Sequence, residues 1–209
     1  MRRLGGLLFL LLLDPRGLAA QTTVLFGVEL GYASADFTGA AASGEDHRDG
    51  VVAGAYFRVP LAHWLAVQQG IRIASRGGTT TATDTSATPL RFELDLVYFD
   101  FPLVIRARVP ALAGARLILL GGAGPAVRIG CNGELFRNGV SETRAACDQA
   151  TAATFQSWDF FVVGGAGIGI PIEQSELAFE VRLSQGLRSV SDATDLKNRS
   201  LDFLLSIPF

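Results

Sequence analysis

Lysine is almost missing from this chain: Lys197 is the single one, and every other basic side chain is Arg. Cysteines, histidines and tryptophans number two each, and there is one methionine. The formal net charge of −2 supplies no basic face, which excludes the electrostatic footprint of a nucleic-acid binder. A helix needs about 20 apolar residues to span a bilayer, and the one apolar run, Leu4 to Leu13, is about half of that. The Gly-rich stretches "GGAGPA" and "VVGGAGIG" contain no G-x-x-x-x-G-K-[ST], so they do not read as nucleotide loops. No EF-type calcium spacing is present either. These absences leave no cofactor, no metal site and no nucleic-acid partner to expect.

The first residues read as an export signal. Arg2 and Arg3 form a positive start, Leu4 to Leu13 an apolar stretch, and Gly17-Leu18-Ala19-Ala20 a small-residue cleavage site. Residues 1–20 are therefore expected to be a signal peptide for the Sec pathway, and residues 21–209 one mature domain. No Cys lies beside the cleavage site, which argues against a lipoprotein. Cys131 and Cys147 would meet an oxidising compartment and are expected to pair. Closing a loop of about 15 residues in this way is worth roughly 3 kcal/mol.

Beyond the leader, apolar residues recur at every second position, the signature of strands. Val24, Phe26, Val28, Leu30 and Tyr32 alternate with Leu25, Gly27, Glu29 and Gly31. The same holds for Val51–Val59, Leu65–Ile73, Leu117–Val127, Trp158–Ile170, Leu177–Leu183 and Leu201–Phe209. In the segment from Leu90 to Val109 the apolar positions change parity between Leu96 and Phe99, which predicts a β-bulge near Val97–Tyr98. Pro102 is awkward there, because proline gives no ladder donor.

Short connections at Pro60–Trp64, Pro110–Ala115 and Pro171–Ser175 alternate with long polar ones at about 36–49, 76–89, 131–156 and 188–199. Hydrophobic residues make up 49% and charged residues 18%, too polar for a bundle of membrane helices and apolar for a soluble enzyme. In lipid only helices and closed barrels satisfy every backbone group. The fold expected is thus all-β: an eight-stranded antiparallel up-and-down transmembrane barrel in a bacterial outer membrane, with short turns on the periplasmic rim. Trp64 falls at the lower aromatic girdle, and Tyr32, Tyr98 and Trp158 at the upper. The last strand must close on the first. Its Phe203, Leu205, Ile207 and Phe209 resemble the terminal signal read by the barrel-assembly machinery.

The opposite parity sends Glu29, Arg58, Arg72, Glu93, Asp95, Asp100, Arg106, Arg108, Arg116, Arg128, Asp159, Glu180, Arg182 and Asp202 inward. A barrel of about eight strands is just wide enough for side chains to fill it. Charges enclosed there must pair, and the fork of Arg suits two carboxylates at once. A packed charged plug is expected; a narrow ion path is the alternative. Inward glycines provide either local space or close approach for Arg and Tyr56.

At "FDFPLVIRAR" and "LAFEVRLSQGLRSV" the chain resembles the outer-membrane β-barrel family that includes the PorT-like and OmpX-like small barrels. Asp100-Phe101-Pro102-Leu103 stands for its aromatic-x-x-Ile-Pro-Leu strand, and Arg182-Leu183-Ser184-Gln185-Gly186-Leu187 for its Arg-Tyr-Ser-x-Gly-Leu strand. "DFFVVGGAGIGI" resembles its Gly-rich strand and "LAVQQGIRIASRGG" its third, with Gly70 where an acidic residue is expected. The resemblance implies an eight-stranded barrel, often without established activity.

The expected role is structural or surface-interacting, not enzymatic. Its partners would be outer-membrane lipid and lipopolysaccharide, the assembly machinery, and envelope or extracellular molecules met by the loops. The alternatives are a porin-like channel and a hydrolase or acyltransferase at the outer rim. The rim enzyme would rest on Ser43, His47 and Asp49, because such chemistry needs a base, usually His.

Overall fold

The computed structural model describes residues 24–39, 47–83, 89–111, 114–147, 155–172, 175–192 and 195–209. The expected leader, Ser43 and the stretch 84–88 lie outside the described residues. Ten strands follow in order: β1 (Leu25–Thr38), β2 (Arg48–Ala62), β3 (Leu65–Thr83), β4 (Pro89–Asp100), β5 (Leu103–Pro110), β6 (Arg116–Arg137), β7 (Val140–Ala146), β8 (Trp158–Ile172), β9 (Ser175–Gly186) and β10 (Lys197–Pro208).

The wall is a closed eight-strand antiparallel barrel. β4 and β5 form one stave, since both pair with β3 on one side and β6 on the other. β1 closes on β10 from Gly27↔Pro208 to Thr38↔Lys197, and the Phe209 amide donates to the Phe26 carbonyl at 2.8 Å. The stave breaks at Pro102. Gly70 donates to the Pro102 carbonyl at 2.9 Å, but proline cannot return the bond. Gln69 Nε2 instead donates to the Gly70 carbonyl at 3.0 Å. The buried Pro102 ring faces Gly70, where a Cβ would sit only 3.2 Å from its Cγ. The space that an acidic side chain would need at residue 70 is thus taken by the proline.

Outward residues form a greasy belt. Leu30 is 60% and Ile168 54% exposed, while Glu29 and Arg72 on the opposite parity are 2% and 1% exposed. A soluble monomer rarely exposes more than a few hundred Å² of contiguous apolar surface, so a belt running round the whole wall belongs in acyl chains. Trp64, Tyr32 and Trp158 are exposed on the belt. Tyr98 is not: it is buried inside the wall, where its hydroxyl accepts from Asn198 Nδ2 at 3.1 Å.

Two further expectations are corrected on β4. Leu94, Leu96, Tyr98 and Asp100 are all buried, so β4 keeps one parity throughout. The register does shift at Val97/Tyr98, but their partners are Gly130 and Arg128, so the extra residue is Ile129 on β6. Glu93 and Asp95 consequently lie on the outer face, where both pair with Arg48. The reason is height. Beyond the lipid belt water is outside, so the polarity of the wall inverts. Charged residues turn outward, while Leu94, Leu96, Phe161, Val163 and Val190 pack within, joined by Phe37, Phe92 and Phe155.

The long connection 131–156 contains a hairpin of its own. β6 runs on to Arg137, turns through Asn138 (φ 50) and Gly139 (φ 78), and returns as β7. Two positive φ values define a type I′ turn, the geometry that Asn-Gly favours. β7 pairs with β6 alone, above the edge that β8 occupies lower down, so the barrel stays at eight staves. Cys131 and Cys147 are bonded at the base of this hairpin, Cα atoms 5.5 Å apart. Replacing both by Ser is expected to leave the barrel folded but to release the hairpin. Trypsin cleavage after the exposed Arg144 should then accelerate at least tenfold, within the roughly 3 kcal/mol that the loop closure supplies. A cleavage rate equal to wild type would show that β6–β7 pairing alone holds the hairpin.

Candidate functional site

The lumen is the one place where strands from the whole circumference bring chemistry together. Alternation aims Glu29 from β1, Arg72 and Arg76 from β3, Asp100 from β4, Arg106 from β5, Glu180 and Arg182 from β9 and Asp202 from β10 at the axis, all of them buried. They form two balanced clusters. In one, Arg72 contacts Asp100 at 3.0 Å and Asp202 at 3.3 Å, and Arg76 contacts Asp100 at 2.5 Å. Arg72 Nη2 also donates to Ser184 Oγ at 3.4 Å. In the other, Arg182 spans Glu29 at 2.9 Å and Glu180 at 2.8 Å, and Arg106 contacts Glu180 at 2.6 Å.

Each cluster holds two Arg and two carboxylates, so each is neutral. That balance is what permits burial, since an unpaired ion in a low-dielectric interior costs several kcal/mol. Aromatic faces add to it. The Arg72 and Arg76 guanidinium carbons lie 5.6 and 5.2 Å from the Phe161 ring centre, and Arg76 also lies 5.2 Å from that of Tyr98.

Glycine makes room for these heads. A Cβ at Gly167 would lie 2.7 Å from Glu180 Cγ, and one at Gly165 would lie 3.1 Å from Arg182 Cγ. One at Gly27 would meet the Tyr56 ring. The inward glycines therefore serve close approach. Ile118, Leu120 and Val104, from β6 and β5, add an apolar side to the lumen.

The other predicted residues sit at the two ends. Arg108 and Arg116 lie at the short-turn mouth, where Arg116 contacts Glu176 at 3.2 Å. Arg58, further in, donates to Gln68 Oε1 at 3.0 and 3.2 Å and lies 5.0 Å from the Tyr56 ring centre. Toward the far end, the buried Asp159 accepts from the Phe160 amide at 2.7 Å and the Arg188 amide at 3.0 Å. Arg128 donates to the Phe155 carbonyl at 3.2 Å. Phe203, Ile207 and Phe209 face outward and are exposed, with Leu205 half-buried beside them.

Sequence reasoning missed Arg76 and Glu176 as lumen residues. The parity of Arg72, Ala74 and Arg76 carries the first, and that of Glu176, Ala178 and Glu180 the second. It also missed the Asn138-Gly139 turn, which is itself a strong hairpin signal.

Of the outer-rim set Ser43, His47 and Asp49, Ser43 lies outside the described residues. His47 Nδ1 lies 3.6 Å from Asp36, and the Asp49 carboxylate accepts from the Tyr32 hydroxyl.

The model of the outer membrane protein beta-barrel domain family matches residues 19–192. Among solved structures, Neisserial surface protein A (NspA) is 9% identical over 88% of this chain and 97% of its own, with a TM-score of 0.46. Ail, the attachment invasion locus protein of Yersinia pestis, is 14% identical over 88% and 98%, with a TM-score of 0.40. OprG from Pseudomonas aeruginosa is 11% identical over 90% and 97%, with a TM-score of 0.41. A search of curated proteins finds no match.

Proposed function

The chain belongs to the outer membrane protein beta-barrel domain family, and from that premise we propose that it is a sealed barrel, structural in the membrane and active through its exterior surface, rather than a pore or an enzyme. Its place is the bacterial outer membrane.

One observation carries this reading. The two neutral clusters run from Glu29 on β1 through Arg182, Glu180 and Arg106 to β5, and from Asp202 on β10 through Arg72 and Asp100 to Arg76. Ion pairs of 2.5–3.3 Å between buried groups tie these heads to one another across the lumen. Above them the apolar cluster around Leu94, Leu96 and Phe161 adds a second stopper, capped on its lower side by the Arg76 guanidinium. An ion crossing both would have to break a buried pair and then pass between packed apolar side chains.

With the lumen filled, the surface left for recognition is the exterior wall and its disulfide-tied hairpin. This is where lipopolysaccharide and extracellular or envelope partners would be met. The enzymatic alternative finds no support in the pairing of His47 with Asp36.

The mature protein, reconstituted in planar bilayers, is expected to show no stable single-channel steps at physiological salt. Reproducible steps that respond to substitution of Arg72 or Arg182 would establish the channel in its place.

A further inference from the structure

Beyond the neutral clusters, two arginines toward the periplasmic end, Arg58 and Arg108, have no carboxylate partner among the described residues. Arg58 is 2% exposed, and its guanidinium has an amide oxygen and an aromatic ring as partners but no carboxylate. Arg108 makes no side-chain hydrogen bond or ion pair among the described residues, and its Nε is buried without an acceptor. With Arg116 they line a pocket of about 180 Å³ that also includes Glu176, Ser175 and Pro208.

Glu176 is the one carboxylate side chain there. Its Oε2 is taken by Arg116, and its Oε1 is buried without a donor. Three guanidinium groups against one carboxylate side chain leave positive charge in surplus, even with the Phe209 terminus that also lines the pocket counted as a second carboxylate. Donors are in surplus as well. At this end of the lumen the Tyr56 hydroxyl, Arg106 Nε and Nη2 and Ser206 Oγ are likewise buried without partners.

A buried guanidinium without a counter-ion is costly, and its forked donors match the oxygens of phosphate. A phosphate group fits comfortably within a pocket of this size. We propose that the periplasmic mouth of the barrel is a binding site for a phosphate group, held by Arg58, Arg108 and Arg116 beside the Glu176 side chain.

Two sources share this chemistry: free phosphate in the periplasm, and the headgroup of an inner-leaflet phospholipid. The pocket lies beside Leu25 and Phe209 at the edge of the apolar belt, within reach of both.

The test uses the mature protein in dodecylmaltoside, a detergent without phosphorus. Inorganic phosphate is titrated at constant ionic strength with chloride, and binding is read from phosphorus-31 line broadening. The unfolding midpoint is followed by tryptophan fluorescence. The same titration with phosphatidylglycerol doped into the micelles tests the headgroup. Broadening of the free-phosphate line with a raised midpoint identifies the soluble source, and broadening of the lipid line identifies the headgroup; either supports the site.

Arg108→Gln removes a group with no side-chain partner among the described residues. It is expected to keep heat-modifiable gel mobility and to weaken binding by about tenfold or more, as loss of a charged hydrogen bond implies. Glu176→Gln removes the competing carboxylate and should tighten binding severalfold. The proposal is overturned if neither line broadens, if Arg108→Gln binds as wild type does, or if Glu176→Gln binds more weakly.

Discussion

Replacing Glu180 with Gln is expected to destabilise the folded barrel by about 3–5 kcal/mol, the cost of breaking a buried ion pair from one side. Shape is nearly conserved, so the effect is electrostatic. Glu180 Oε1 accepts from Arg106 Nη1 at 2.6 Å, and Oε2 accepts from Arg182 Nε at 2.9 Å. Arg182 retains Glu29 when the charge is removed, but Arg106 has no other carboxylate partner among the described residues. Its guanidinium would stand alone at 0% exposure. The quantity to measure is the urea midpoint in phospholipid vesicles, followed by fluorescence of Trp64 and Trp158. The double change Glu180→Gln with Arg106→Gln removes both sides of the orphaned pair and should recover most of the loss. A single variant as stable as wild type, or a double variant no better than the single, would mean that the lumen pairs are solvated and that the plug does not hold the barrel.

A charge placed on the belt should cost nearly as much, for the opposite reason. Phe179 faces outward on β9, 52% exposed, in register with Leu205 and Ile168 on the neighbouring strands. Phe179→Arg is expected to destabilise by about 2–4 kcal/mol in a bilayer, the cost of a guanidinium near the hydrocarbon midplane. Ser34→Arg, outward on β1 above Tyr32, lies at the interface and should cost about 0–1 kcal/mol. The contrast between the two variants, measured by the same unfolding assay, reports depth directly. Equal costs at both positions would place the belt somewhere other than the lipid.

These two outcomes rest on the same alternation read from its two sides, and that alternation is what sequence displays well. Val24 to Tyr32 and Leu201 to Phe209 announce both the strand and its greasy face. Eight such segments, separated by connections of alternating length, dictate closure, because an open sheet edge has no partner in lipid. Arg72, Asp100, Glu180, Arg182 and Asp202 were legible as a group for this reason. Their grouping into two neutral sets was not, since it depends on which staves face each other across the axis.

Glu93 and Asp95 mark a different limit. Period two states that two faces differ in polarity, but it does not state which face is wet. Inside the belt the charged face is enclosed; above it, water surrounds the wall and the same pattern points outward. The bulge has a similar character: the apolar pattern assigns it to the segment carrying Leu96 and Phe99, yet the inserted residue is Ile129, because register belongs to a pair of strands.

The sequence alone determined that this chain forms short-turned amphipathic strands, that they close into a barrel, and that an arginine-rich, carboxylate-matched face lies on the opposite parity from the apolar one. Those facts are local, fixed by the pleat and by backbone hydrogen bonding in lipid. Only the tertiary structure decided where lipid gives way to water along each strand, which carboxylate meets which guanidinium, and that Arg58 and Arg108 are left without one. Those facts depend on stagger and on distances across the lumen, and no single strand carries that information.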